Sequence, residues 1–250
     1  MKKLTLALAA TAALAGQAVA ADMAARMPVK AAPMAAPVAS WTGCYLGAGG
    51  GGAYTTNDNN TYVIATGLPF NANQTNGARG WFGTVQVGCD FQADRFVIGG
   101  FADYDFMDVK GDRAIVNGGF FGSQKQDSQW AAGLRAGYLI VPQLLTYFSA
   151  GYTRAHWNSA DYTLFGAAVP SFTIPGYSRS GWFIGAGDEY ALSFMPGLFW
   201  KTEYRYSEFD SGNQTILNFG TNVSSGFGDT SRVREHSVRS ELVYRFNFGR

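Results

Sequence analysis

The chain has 250 residues, with 19 Lys and Arg against 18 Asp and Glu, 32 glycines and an aromatic share of 15%. The near-neutral balance excludes a basic footprint for nucleic acid. No apolar run after the first 20 residues reaches the ~18 that a spanning helix needs, and abundant aromatics and glycine with sparse charge favour many strands over helices.

In chain order, residues 1–20 open with Lys2 and Lys3, continue through an apolar core from Leu4 to Ala15 and end on Ala18-Val19-Ala20. A positive start, a short apolar stretch and an A-x-A site predict a cleaved secretory signal peptide. Residues 21–40, rich in Ala, Pro and Met without a period, predict a flexible periplasmic leader that cannot build a core. Residues 41–250 then form one domain by length.

The domain opens on WTGCYLGAGGGGAY, in which Gly47, Gly49 and Gly52 spell G-x-G-x-x-G. A dinucleotide fingerprint must open a helix and meet an acidic residue about 20 positions on. Here strand-like and loop-like residues follow, with no Lys-Ser/Thr, so the glycines read as a small-residue first strand. They leave lumen room for large neighbours and permit strong coiling.

Period-two alternation recurs downstream. Trp81, Val85, Val87, Cys89 and Phe91 share one face and Phe82, Thr84, Gln86, Gly88 and Asp90 the other. Phe96, Ile98, Ala102, Tyr104 and Phe106 alternate with Phe101, Asp103 and Asp105, and Trp130, Leu134, Ala136 and Tyr138 oppose Gln129 and Arg135. The fifth strand is ambiguous, because Phe148 and Tyr152 argue for one face and Leu145, Tyr147 and Trp157 for the other. Later, Trp182, Ile184 and Tyr190 oppose Glu189; Trp200, Tyr204 and Tyr206 oppose Lys201, Glu203 and Arg205; Val238, Leu242, Tyr244, Phe246 and Phe248 oppose Arg239, Glu241 and Arg245. Asp188 falls on the apolar face, as an outward acid near a rim or as a slip of register.

Connections near Ala93-Asp94, Val141-Pro142 and Met195-Pro196 are short, and those over 55–78, 107–127, 158–178 and 210–236 read as long polar loops. Long loops on one rim, short turns on the other, apolar side chains out and charges in predict an eight-stranded antiparallel up-and-down transmembrane β-barrel of the bacterial outer membrane. An exported soluble β-sandwich is the alternative.

The leader followed by WTGCYLG, then GGFADYDF, WAAGLRAGYLI, GWFIGAGDEYAL, WKTEYRYSEFD and SELVYRFNF, resembles the small eight-stranded outer-membrane barrels of alphaproteobacteria, the porin-family surface proteins. The resemblance covers the whole mature chain. It implies an outer-membrane location, contact with membrane lipid and lipopolysaccharide, delivery by the barrel assembly machinery, a monomer, no cofactor, no nucleic acid and no enzymatic activity. It also implies an assembly signal in the last strand, carried by Tyr244, Phe246 and Phe248, although Gly249 and Arg250 trail the aromatic that usually ends such chains.

Two cysteines depart from the family pattern. Cys44 stands where an aromatic is usual on the first strand, and Cys89 does the same on the second. Antiparallel pairing brings both to the periplasmic rim, where the compartment is oxidising. A Cys44–Cys89 disulfide and two free apolar thiols are the two readings. His156 and His236 lack ligand spacing and read as solvated loop residues, so neither a metal nor a catalytic group is expected.

The inward charges Arg135, Glu189, Lys201, Glu203, Arg205, Arg239, Glu241 and Arg245 read as a packed ionic network rather than a selectivity filter, since buried charge must be paired. Glu189 is expected to face Lys201, and Glu203 and Arg205 to be complemented by Arg245 and Glu241. The expected role is structural, in envelope integrity and loop presentation, with the lumen plugged. A narrow channel for small solutes and a haem- or ligand-binding surface receptor are the alternatives.

Overall fold

A computed structural model describes residues 40–116 and 119–246. The expected signal peptide, all of the leader up to residue 39, and Phe248 lie outside the described residues. Eleven strands form one antiparallel sheet: β1 (Gly43–Val63), β2 (Gln74–Ala93), β3 (Phe96–Ile115), β4 (Phe120–Val141), β5 (Leu144–Trp157), β6 (Ala160–Leu164), β7 (Phe172–Ile174), β8 (Tyr177–Ala191), β9 (Leu198–Phe209), β10 (Gly212–Asn218) and β11 (Ser224–Phe246).

The sheet closes twice. The lower ring runs β1-β2-β3-β4-β5-β8-β9-β11 and returns to β1, so it has eight strands. Its outer face carries the apolar set read from the sequence, with Val85, Val87, Ile98, Leu134, Phe148, Ile184 and Leu242 all exposed. Aromatics bracket that band: Phe96, Tyr138, Tyr190 and Trp200 toward the short turns, and Trp81, Trp130, Tyr152 and Trp182 toward the other rim. An outward apolar band between aromatic girdles is the lipid-facing surface of a membrane barrel.

Each short turn follows from its residues. Asp94 takes φ 53° and Gly197 φ 85°, conformations that suit Asp or Gly better than a bulky side chain. Pro142, which has no backbone N–H to donate, falls between β4 and β5.

The long connections are not loops, which corrects the sequence reading. Strand pairing continues past the girdle: β1 stays in register with β11 from Cys44↔Phe246 to Val63↔Phe227, and β3 with β4 up to Ile115↔Phe120. Above the girdle β6, β7 and β10 take the places of β5, β8 and β9, through the pairings β4–β6, β6–β7, β7–β10 and β10–β11. A second storey of eight strands therefore stands on the first, with the β2–β3 ladder ending at Arg79↔Lys110. Five strands, β1–β4 and β11, run through both storeys.

Polarity inverts between them. The upper ring encloses an apolar cluster that includes Ile115, Trp157, Tyr162, Ile174, Tyr177, Phe209, Ile216 and Val233, while its outside is largely polar, as in a barrel surrounded by water. Burial pushes the Tyr162 phenol up to about 12, so it stays neutral in this interior. This inversion explains why the segments read as loops: the outward apolar signal ends at the girdle although the strands continue.

The fifth-strand ambiguity has a simple resolution. Leu145, Tyr147 and Trp157 are buried inside and Phe148 and Tyr152 face out, so the strand is aromatic on both sides. Asp188 does point outward, where it accepts a hydrogen bond from Thr146 Oγ1 at 2.5 Å. No register slip is involved, and near the rim an outward acid costs little.

Candidate functional site in the barrel lumen

All eight inward charges read from the sequence are buried in the lumen. They are joined by three aspartates on the same inner face, Asp90 on β2 and Asp103 and Asp105 on β3, all buried.

Nearest the periplasm, two arginines and two acids alternate in a closed cycle. Arg135 Nη1 donates to Glu189 Oε2 at 2.9 Å and its Nε to Asp90 Oδ1 at 3.0 Å. Arg245 Nη2 donates to Glu189 Oε1 at 2.7 Å and its Nη1 to Asp90 Oδ2 at 2.6 Å. Each carboxylate thus binds two guanidiniums, the geometry in which buried ion pairs hold. Aromatic faces pack against the cations: Arg135 lies 4.7 Å from the Tyr45 ring centroid and Arg245 4.9 Å from that of Phe199.

Beneath this cycle Trp41 closes the mouth. Its ring packs 4.7 Å from Phe199, its Nε1 donates to Pro142 O at 3.2 Å, and its carbonyl accepts from Arg245 Nη1 at 3.2 Å. Trp41 precedes β1 and shares the parity of the inward Tyr45, but its role as a stopper depends on Phe199, Pro142 and Arg245, which lie far away in sequence.

Above the cycle, Lys201 Nζ donates to Gln86 Oε1 at 2.8 Å and to Glu241 Oε1 at 3.3 Å, and Tyr147 donates to Glu203 Oε2 at 2.8 Å. Next come Arg205 and Arg239. Arg205 Nη2 and Nη1 hold Asp103 at 2.8 and 3.1 Å, its Nε holds Glu203 at 2.8 Å, and Arg239 Nη2 reaches Asp105 at 3.0 Å. β9 and β3 stand four places apart in the eight-stranded ring, so the Arg205–Asp103 pair spans its full width.

Two expected pairings are corrected. Glu189 and Lys201 are opposite in register, yet Glu189 binds Arg135 and Arg245, and Lys201 turns to Glu241, Glu203 and Gln86. Arg245 does not complement Glu203; Glu203 and Arg205 bind each other, with Asp103 as the third member. The reason is reach: in so narrow a lumen a long side chain can choose among partners on its own strand, on the neighbouring strand and across the barrel, so register alone does not fix the pair.

The inner-face glycines of β1 make room for this. A Cβ on Gly51 would lie 2.6 Å from the tip of the Phe82 ring, which is the face Arg239 packs against at 5.3 Å. One pocket between the storeys, lined by Arg113, Gln124, Gln126 and Trp157 among others, measures about 30 Å³, about one water's share of liquid volume. Nearby, the Glu235 carboxylate accepts from Gln126 Nε2 at 2.9 Å.

Cys44 and Cys89 are cross-strand partners in register, with Sγ atoms 2.01 Å apart, on the outer face near the short turns. Tyr244 and Phe246 stack edge-to-face at 5.1 Å on the same outer face. The histidines are not brought together. His156 Nδ1 lies 2.9 Å from Ser178 Oγ and His236 Nδ1 2.7 Å from Tyr204 OH, on β5 and β11 respectively. Among the described residues there is no group of three His, Cys, Asp or Glu arranged to hold a metal.

No family model matches the chain. The 31 kDa outer-membrane immunogenic proteins of Brucella melitensis and Brucella suis are each 32% identical to it over 253 residues, covering 98% of this chain and all of theirs. The chain belongs to this family. As an outer-membrane immunogenic protein family member, it is an integral β-barrel of the bacterial outer membrane. The 25 kDa outer-membrane immunogenic protein of Brucella canis is more distant, at 28% identity over 88% of the chain. Two solved barrels share the fold at 11% identity: the outer membrane protein OprG of Pseudomonas aeruginosa (TM-score 0.55, covering 83% of this chain and 99% of that one) and the outer membrane protease OmpT of Escherichia coli (TM-score 0.51, 83% and 98%). At that identity the likeness is one of architecture, so the protease activity does not carry over.

Proposed function

We propose that this family member is a non-catalytic surface protein whose lumen is sealed by ion pairs, and that it contributes to envelope integrity while presenting its upper storey to the outside. The observation that carries the reading is the Arg205–Asp103 pair across the full ring, stacked above the Arg135–Glu189–Arg245–Asp90 cycle and the Trp41 stopper. An ion following the axis would have to break each layer in turn. Breaking a buried, hydrogen-bonded ion pair from one side costs about 3–5 kcal/mol, and eight-stranded lumens are just wide enough for side chains to fill. The chemistry also argues against an enzyme, because the buried carboxylates are engaged by arginine, lysine or amide donors rather than poised beside a nucleophile.

Planar-bilayer recording of the purified barrel tests this. The expected trace shows no steady unit currents for the wild type. Discrete, reproducible conductance steps would overturn the seal and favour the narrow-channel reading.

A further inference from the structure

The upper storey ends in a rim without charge. Residues 59–78, 114–124, 162–178 and 211–228 contain no Asp, Glu, Lys or Arg, and charged residues resume immediately outside each segment. Among the described residues these segments carry the β1–β2, β6–β7 and β10–β11 connections and the facing ends of β3 and β4, on the rim opposite the short turns.

Three of the turns share one geometry. Each pivots on a glycine in the left-handed region, with nothing within 4 Å of where its Cβ would be: Gly67 at φ 69°, Gly166 at 81° and Gly220 at 74°. Beside each glycine stands an exposed apolar side chain: Leu68 (64% exposed), Phe165 (85%) and Phe219 (40%). Phe70, Val169 and Val223 are exposed on the same turns. The turns are tied into one rim by backbone hydrogen bonds, Ile64 N to Gly226 O at 2.9 Å, Phe219 N to Ser171 O at 3.0 Å and Phe165 N to Gly119 O at 3.3 Å. The apolar tips are therefore held by the upper ring, and ordering them on binding costs less than ordering free loops.

A group of exposed apolar tips in water marks an interaction surface. The chemistry of the occupant follows from the charge pattern. Protein interfaces ring their apolar centres with polar residues and are enriched in Arg, and no Arg occurs in these four segments. A lipid bilayer penalises charge carried into it and rewards shallow apolar insertion. The barrel's own membrane lies at the other end: β1 runs nine residues beyond Tyr54 at the girdle to Val63, which at about 3.3 Å per residue and a tilt near 40° raises the rim roughly 20 Å.

We propose that the rim docks onto a facing lipid bilayer, with Leu68, Phe165 and Phe219 inserted at its headgroup–acyl boundary. This rests on the outer-membrane placement and is independent of whether the lumen is sealed.

The full barrel in nanodiscs, mixed with phosphatidylcholine vesicles and floated on a density gradient, tests the proposal, with empty nanodiscs as the baseline. The expected result is co-flotation that persists between about 0.1 and 0.5 M salt, where electrostatic attraction is screened. Leu68→Ser, Phe165→Ser and Phe219→Ser combined should weaken it by about tenfold or more. Those three positions are solvent-exposed turns, and retained heat-modifiable gel migration shows that the variant is folded. Wild-type flotation no greater than that of empty discs overturns the proposal, as does a folded triple variant that floats equally well. So does binding that requires anionic lipid and fades with salt, or pairing of barrel-loaded discs with each other in place of the vesicles.

Discussion

Arg245 joins Asp90, Glu189 and the Trp41 carbonyl through one guanidinium. Replacing it with Met keeps much of the volume but leaves two buried carboxylates short of a cation. Arg245→Met should cost about 3–5 kcal/mol in urea unfolding of the reconstituted barrel. Lys110→Ala, which removes a surface partner of Asp108, should leave the unfolding midpoint nearly unchanged, because an exposed pair is screened by solvent. Equal effects would show that the cycle does not hold the lower storey together. That Arg245 faces the lumen was legible from alternation alone. Its partners were not, because they sit on β2 and β8 at sequence distances of 155 and 56 residues. For Cys44 and Cys89, antiparallel pairing brought both to one rim and left a disulfide and two free thiols open; the β1–β2 register sets them directly opposite.

At the scale of the strand, β1 shows how side-chain size sets packing. Gly51 lies on its inner face, where a Cβ would clash with the Val238 carbonyl oxygen and the Phe82 ring. Gly52, one residue on, faces outward, and its nearest atom to a new Cβ is Gly80 O at 3.7 Å. Gly51→Val should therefore abolish the compact, heat-modifiable form on gels, while Gly52→Val should retain it. Loss of both would mean that β1 needs glycine for coiling alone and not for lumen space. The sequence showed that these glycines belong to a strand and not to a phosphate loop. Which of them face a large side chain depended on the β1–β11 and β1–β2 registers.

For the whole molecule, the two storeys predict two stabilities. The lower ring is held by lipid outside and a network of ion pairs inside, the upper ring by an interior that sets the buried Arg113–Asp229 ion pair among apolar and aromatic side chains. Trp157 anchors the upper one, stacking on Tyr177 and meeting Phe209 edge-on, each at 5.3 Å. Trp157→Ala removes a large buried side chain, a change that costs about 3–5 kcal/mol. Limited proteolysis should then cut within residues 158–178 while the membrane ring stays protected and heat-modifiable. Simultaneous loss of both would show a single cooperative unit.

The sequence by itself determined the eight-stranded transmembrane ring, its three short turns and the face of nearly every lower-storey side chain. Lipid outside and charge inside impose a period-two contrast that needs no tertiary information to read. Only the tertiary structure decided the upper storey, the cross-lumen partners and the Trp41 stopper. Beyond the girdle water replaces lipid, the outside becomes polar, and a continuing strand has the composition of a loop. Inside, partners are chosen by ring closure, which joins residues that no local pattern connects.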